Sequence, residues 1–127
     1  MKDARILVVD DEAEVLELLK DYLELQGYGV VTTASAIEAE SLLSSGVVDL
    51  ALLDVGVHGL RLARKARSFD KPFILMSGSP VIVEMGEFGT VLRKPFKLEA
   101  LTRMVEGAVR RREPPSFSAE AAVRLAG

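Results

Sequence analysis

The chain has 127 residues, of which 49% are hydrophobic and 28% charged, which predicts one globular domain with a sizeable core. The net charge of −3 argues against a nucleic-acid-binding domain, and the absence of cysteine excludes disulfides, thiolate metal sites and cysteine nucleophiles. No apolar run is long enough to span a membrane and the amino terminus is too polar for a secretory signal, so we expect a cytoplasmic protein without a membrane partner.

The first half of the chain alternates between strand and helix patterns. Apolar, β-branched runs predict buried strands, and apolar residues at helical spacing predict helices packed on them. The resulting β-α-β-α-β order predicts a parallel α/β sheet with right-handed crossovers. The predicted elements are a strand at Ile6–Val9, a helix with apolar residues from Val15 to Leu23, a strand at Tyr28–Thr33, a helix at Ala34–Ser45 with Ile37, Leu42 and Leu43 facing inward, and a strand ending at Asp54.

Acidic residues follow the first strand and end the third. One carboxylate is enough to cap a helix amino terminus, so the adjacent, mutually repelling Asp10 and Asp11 indicate a bound cation, and oxygen ligands of this kind suit Mg²⁺. Asp54 ends a central parallel strand, where open α/β sheets bind ligands. We interpret Asp54 as a phosphoryl acceptor, although on its own it is better explained as a cap of the following turn.

The segment after Asp54 combines a glycine-containing loop with a basic helix. Gly56 and Gly59 let the backbone approach a ligand closely, and His58, the only histidine, is better explained as a solvated loop side chain than as a proton carrier. A short helix is predicted from Leu60 to Ser68. Its basic face favours contact with solvent over contact with a partner, and consists of Arg61, Arg64, Lys65 and Arg67.

The second half of the chain adds two strands whose ends carry polar residues. A fourth strand at Lys71–Ser77 ends in a hydroxyl, and a fifth at Val91–Arg93 is followed by Lys94, a compact cation that can reach a phosphoryl oxygen. Only twelve residues, rich in glycine and β-branched residues, separate these strands, which predicts a short or absent helix at Ser79–Thr90.

The carboxyl-terminal third predicts one more helix and the end of the domain. Lys94-Pro95 is a candidate cis peptide bond, and an amphipathic helix follows at Leu98–Arg112. Pro114-Pro115 then ends the domain, which gives a domain at residues 1–112 and a tail or linker stub at residues 113–127.

Four motifs in this order, each at a strand end, resemble the receiver domain of two-component response regulators. The resemblance covers Arg5 to about Arg112, nearly the whole chain, and implies a doubly wound, flavodoxin-like sheet of five parallel strands in the order 2-1-3-4-5. The motifs are Asp10-Asp11, Asp54, Ser77 and Lys94-Pro95-Phe96.

The resemblance also implies a chemistry for these residues. Asp54 would take a phosphoryl group from a phosphohistidine of a sensor histidine kinase or a histidine phosphotransfer protein, and Ser77 and Lys94 would bind phosphoryl oxygens. Mg²⁺ would be bound directly by Asp11, Asp54 and the carbonyl of Gly56, and through water by Asp10. Such a module phosphorylates and dephosphorylates itself, is not a conventional turnover enzyme, and signals through an output protein. We expect a monomer or weak homodimer.

Two departures from the family pattern concern output. The family's switch aromatic is replaced by Val91, and the loop to Gly59 is short and lacks the usual Met-Pro. We therefore expect that the face around the fifth strand is not used in the usual way. The alternative to an active receiver is a pseudo-receiver, an interaction domain that does not switch. A Mg²⁺-dependent phosphatase is disfavoured because the residue two positions after Asp54 is Gly56 and not a second catalytic acid. A DNA-binding regulator is disfavoured because no helix-turn-helix motif follows.

Overall fold

The computed structural model describes residues 4–78 and 90–112. They form a parallel five-stranded sheet with strand order β2-β1-β3-β4-β5, which confirms the predicted doubly wound topology. The predicted short or absent helix between the last two strands and the predicted tail fall on residues outside the described ranges. The elements are β1 (Arg5–Val9), α1 (Ala13–Leu25), β2 (Gly29–Thr33), α2 (Ala36–Ser45), β3 (Leu50–Asp54), α3 (Gly59–Ser68), β4 (Phe73–Ser77), β5 (Thr90–Arg93) and α4 (Leu98–Arg112).

Successive residues of the strands face opposite sides of the sheet and fill two separate cores. β3 is buried at every position because helices cover both of its faces. Leu50 and Leu52 pack with α1 and α4, whereas Ala51 and Leu53 pack with α2 and α3. None of the helices within residues 4–78 and 90–112 has the length and apolar character that crossing a membrane requires.

The register of the strands brings their carboxyl ends level with one another. Val9 lies beside Leu53, Asp54 beside Met76, and Ser77 beside Arg93. The residues that follow β1 and β5, and those that end β3 and β4, therefore meet at a single edge of the sheet. The predicted cis bond between Lys94 and Pro95 is confirmed at this edge.

The predicted inward face of α2 is wrong at one residue. Ile37 is 83% exposed, while Ala39 and Leu43 are buried. The helix begins at Ala36 because the Ser35 side chain accepts a hydrogen bond from the Glu38 amide at 3.1 Å. With the helix in this position, Ala39 rather than Ile37 packs against the sheet.

We expect Leu52→Ala to lower the free energy of unfolding by about 2–5 kcal/mol, because Leu52 is fully buried and its loss leaves a cavity in β3. Leu25→Ala is the matched control, since Leu25 is 86% exposed and its truncation should change stability by less than about 0.5 kcal/mol. Urea unfolding measures both variants. Equal costs for the two variants would contradict the packing of β3.

Candidate functional site

One lysine joins two carboxylates where β1, β3 and β5 end. The Nζ atom of Lys94 lies 2.6 Å from Oδ2 of Asp10 and 3.2 Å from Oδ1 of Asp54. The Lys94 amide donates a hydrogen bond of 2.7 Å to the carbonyl of Ser77, which ties β5 to the end of β4. The level strand ends thus bring the side chains of Asp10, Asp54 and Lys94 into direct contact. The backbone of Ser77 is bonded to Lys94 at the same edge.

Asp10 is fully buried and both of its carboxylate oxygens have partners. Its Oδ1 atom accepts a hydrogen bond of 2.9 Å from the Glu12 amide, while its Oδ2 atom accepts from Lys94. A buried carboxylate is stable only when it is paired and hydrogen-bonded in this way. Asp10 therefore forms the turn into α1 and also anchors the cation of the site.

The alternative explanation was that the Asp54 side chain caps the following turn, but the structure shows that its backbone carbonyl forms that turn. The Asp54 carbonyl accepts a hydrogen bond of 3.0 Å from the Val57 amide, which forms the turn. The side chain is 11% exposed and its Oδ1 atom accepts from Lys94. The carboxylate is thus held at the site while the main chain makes the turn.

Burial and charge act in opposite directions on the two central groups. Burial raises the pKa of Asp54 above its usual 3.8, and the hydrogen bond from Lys94 only partly offsets this, while Asp10 raises it further. Burial alone would lower the pKa of Lys94, but the hydrogen bonds to Asp10 and Asp54 outweigh burial and leave it raised. Lys94 is therefore a permanent cation at neutral pH.

Asp10, Asp11 and Glu12 form a group of carboxylates that fits a divalent cation. One oxygen from each lies within 4.8 Å of the others, and Asp11 and Glu12 are exposed above the buried Asp10. Carboxylate oxygens are the ligands that Mg²⁺ prefers, so this donor set fits the predicted metal. Glu12 was not singled out from the sequence; its place beside the acidic pair was the available signal.

The loop from Asp54 to α3 brings its glycines against the carboxylate and its backbone. A Cβ atom at Gly56 would lie 3.1 Å from Oδ2 of Asp54, the oxygen that Lys94 does not contact. A Cβ atom at Gly59 would lie only 2.6 Å from the Asp54 carbonyl oxygen. His58, between them, is exposed with a φ of 53°, which agrees with its interpretation as a solvated loop residue.

Ser77 lies at the predicted level, at the end of β4. It is only 3% exposed, and its carbonyl holds the Lys94 amide, as described above. The main chains of Ser77 and Lys94 are therefore hydrogen-bonded side by side at this edge of the sheet. Asp11 is exposed to solvent.

Comparisons with known proteins agree on one family. A family model described as the response regulator receiver domain matches residues 6–106. The transcriptional regulatory protein FixJ of Bradyrhizobium diazoefficiens is 33% identical, and the match covers 95% of this chain and 64% of FixJ. The regulatory protein VanR of Enterococcus faecium is 33% identical, and the match covers 84% of this chain and 50% of VanR. The chain thus spans about half to two thirds of these curated relatives.

Solved structures give the same result. A response regulator receiver protein from Sinorhizobium medicae has a TM-score of 0.79 at 30% identity, with 87% of this chain and 98% of that chain covered. A CheY-like receiver domain protein from Methanospirillum hungatei has a TM-score of 0.79 at 26% identity, with 87% and 96% covered. The expected absence of a nucleic-acid partner stays a prediction, because the name of FixJ describes a transcriptional regulator.

Gly59→Ala should lower the free energy of unfolding by about 1–3 kcal/mol, because the added methyl group would overlap the Asp54 carbonyl and move either α3 or the end of β3. Gly29→Ala is the control, since a Cβ atom there meets Arg5 at an ordinary 3.5 Å. Urea unfolding compares the two variants. A Gly59→Ala protein as stable as Gly29→Ala would show that the loop has room to relax.

We expect Asp54→Asn to raise the midpoint of thermal unfolding at neutral pH. Because the folded pKa of Asp54 is raised, its ionised form weakens the folded state at every pH above that pKa, and the loss disappears below the unfolded value of about 3.8. The difference between variant and wild type should therefore shrink as the pH falls toward 3.8. A variant less stable than wild type at neutral pH would mean that the Lys94 contact outweighs burial.

Proposed function

Because the chain belongs to the response regulator receiver family, we propose that it takes a phosphoryl group from phosphohistidine onto Asp54 and signals through a protein partner. The donor is a sensor histidine kinase or a histidine phosphotransfer protein. Receiver domains of two-component systems have this phosphoacceptor role, and the assignment of Asp54 to it in this chain is the proposal.

The contact of Lys94 with both Asp10 and Asp54 carries this proposal. A carboxylate and a phosphoryl donor are both anionic, so transfer requires positive charge at the point where they meet. Lys94 supplies this positive charge. Its Nζ atom is held by an ion pair with the buried Asp10 and lies 3.2 Å from Oδ1 of Asp54.

The two oxygens of Asp54 have different roles in the proposed transfer. Oδ1 is engaged by Lys94, which leaves Oδ2 as the nucleophile. A Cβ atom at position 56 would lie 3.1 Å from Oδ2 and crowd it. Because Gly56 has no side chain, it leaves this oxygen uncrowded. After transfer, the Lys94 ammonium and the Ser77 hydroxyl would bind oxygens of the phosphoryl group, and the small Gly56 would leave the product open to water.

We propose Mg²⁺ as the cofactor, held by Asp11 and Asp54 with the carbonyl of Gly56, and by Asp10 through water. When bound, the ion supplies positive charge that neutralises the carboxylates and the incoming phosphoryl group. The exposed position of Asp11 above the buried Asp10 supports this assignment, because a cation can reach both from solvent. Glu12 adds a third carboxylate to the same group.

A non-switching pseudo-receiver is the second candidate, and Val91 is the observation that favours it. Val91 is half-buried against the core on the α2–α3 side of the sheet. A branched aliphatic side chain there cannot swing between exposed and buried positions as an aromatic ring can. This candidate predicts a stable fold with no phosphate on Asp54.

Location in the cytoplasm and a monomeric or weakly dimeric state stay predictions.

Incubation of the full chain with acetyl phosphate and Mg²⁺ should add one phosphoryl group, measured by intact mass. Asp54→Asn should abolish the gain, and Lys94→Gln should slow it by about 100-fold, because it removes the cation that stabilises the transferred charge. Glu24→Gln, on the far part of α1, is the matched control and should leave the rate unchanged.

A chelator should also abolish the gain in mass. Absence of phosphate from both acetyl phosphate and a phosphohistidine donor would favour the pseudo-receiver. A gain that persists in Asp54→Asn would identify a different nucleophile.

A further inference from the structure

The helix that follows the phosphoacceptor loop concentrates positive charge on an acidic protein. α3 carries Arg61, Arg64, Lys65 and Arg67 and no acidic residue. The whole chain has 16 basic and 19 acidic residues, so the rest of it holds only twelve basic residues against all nineteen acidic ones. We call this single-sign face the α3 basic face. α4 also carries four arginines, at positions 103 and 110–112, but unlike α3 it includes two acidic residues, Glu99 and Glu106.

Within residues 4–78 and 90–112, one carboxylate of the neighbouring helix α2 serves two cations of the α3 basic face. Glu40 lies 3.3 Å from Arg61 and 3.8 Å from Lys65, and all three side chains are at least 32% exposed. Exposed pairs of this kind contribute little to stability. A partner that presents several carboxylates can therefore compete with Glu40 at low cost, and Arg64 and Arg67 add two more exposed cations on the same helix.

The start of α3 is packed directly on the backbone of the phosphoacceptor. Only the turn Val55–His58 separates β3 from α3, and the Gly59 backbone approaches the Asp54 carbonyl so closely that a Cβ atom there would lie 2.6 Å from it. The Asp54 carbonyl is also bonded to the Val57 amide at 3.0 Å. Because this connection is short and closely packed, a shift of the Asp54 backbone would be passed to the start of α3.

We propose that the α3 basic face is an output surface of this protein, and that it docks an acidic segment of a partner protein. The proposal rests on the proposed function, because phosphorylation of Asp54 supplies the shift that α3 transmits. Charge complementarity favours an acidic protein segment, and Phe69, which is 38% exposed just beyond the helix, offers an apolar contact that a peptide side chain can cover. The net charge of −3 disfavours a nucleic acid as the ligand.

The test measures binding of a fluorescent, glutamate-rich peptide with leucines at helical spacing to the full chain, with and without phosphorylation by acetyl phosphate and Mg²⁺. Arg64→Glu/Arg67→Glu should weaken binding by at least about tenfold, since each change turns an attraction into a repulsion. Arg64→Gln/Arg67→Gln should weaken it less but measurably, and guards against loss of fold in the first variant. Phosphorylation of wild type should strengthen binding.

The matched control is Arg103→Glu/Arg110→Glu, which makes the same change in net charge on the exposed face of α4. It should change the affinity by no more than about twofold, since exposed charges distant from the contact are screened by salt. Equal losses from the α3 and α4 variants would overturn the proposal, because the peptide would then sense only net charge. Tighter binding of duplex DNA than of the peptide would overturn it as well.

Intact mass separates this proposal from the proposed function. If wild type gains no phosphate, the proposed function fails, and the preference of the peptide for α3 over α4 in the unmodified chain still decides the docking proposal. If wild type gains phosphate and the affinity for the peptide does not change, the proposed function stands and the output role of α3 is wrong.

Discussion

The pairing of Lys94 with the buried Asp10 is the interaction on which the site depends. A carboxylate with no exposure needs a cation, and here the cation comes from the end of β5, three positions away from β1 in the sheet, with β3 and β4 between them. The parallel topology and the register of all five strands are therefore constraints on this one contact. Asp54, between the two partners, shares the cation because β3 is central.

The loop residues that approach Asp54 most closely are glycines. Gly56 and Gly59 stand where a side chain would meet the carboxylate or the carbonyl of Asp54. The missing side chain at Gly56 leaves the Oδ2 atom uncrowded, and the missing side chain at Gly59 lets α3 start immediately after the turn. The short, glycine-containing loop that leaves the Asp54 carboxylate uncrowded thus also connects β3 directly to α3.

Much of this architecture could be predicted from the sequence because strand ends are visible there. Apolar runs that stop at Asp10, Asp54, Ser77 and Lys94 specify which residues share an edge once the strands are parallel. The inward face of α2 was less predictable: Ile37 is apolar but exposed, and the small Ala39 packs against the sheet together with Leu43. Glu12 was missed because an acidic residue at the start of a helix is so common that its spatial proximity to Asp10 and Asp11 carries no separate sequence signal.

The direct connection from β3 to α3 has a consequence for how this chain can change over evolutionary time. Each residue of a helix is turned by about 100° from the one before it, so an insertion in Val55–His58 that α3 absorbed would rotate the whole helix by that angle. Leu62 and Ala66 would leave the sheet, and arginines would turn toward the core. Loop length at this point is therefore inherited together with the helix sequence, and point substitutions are the accessible route to new specificity.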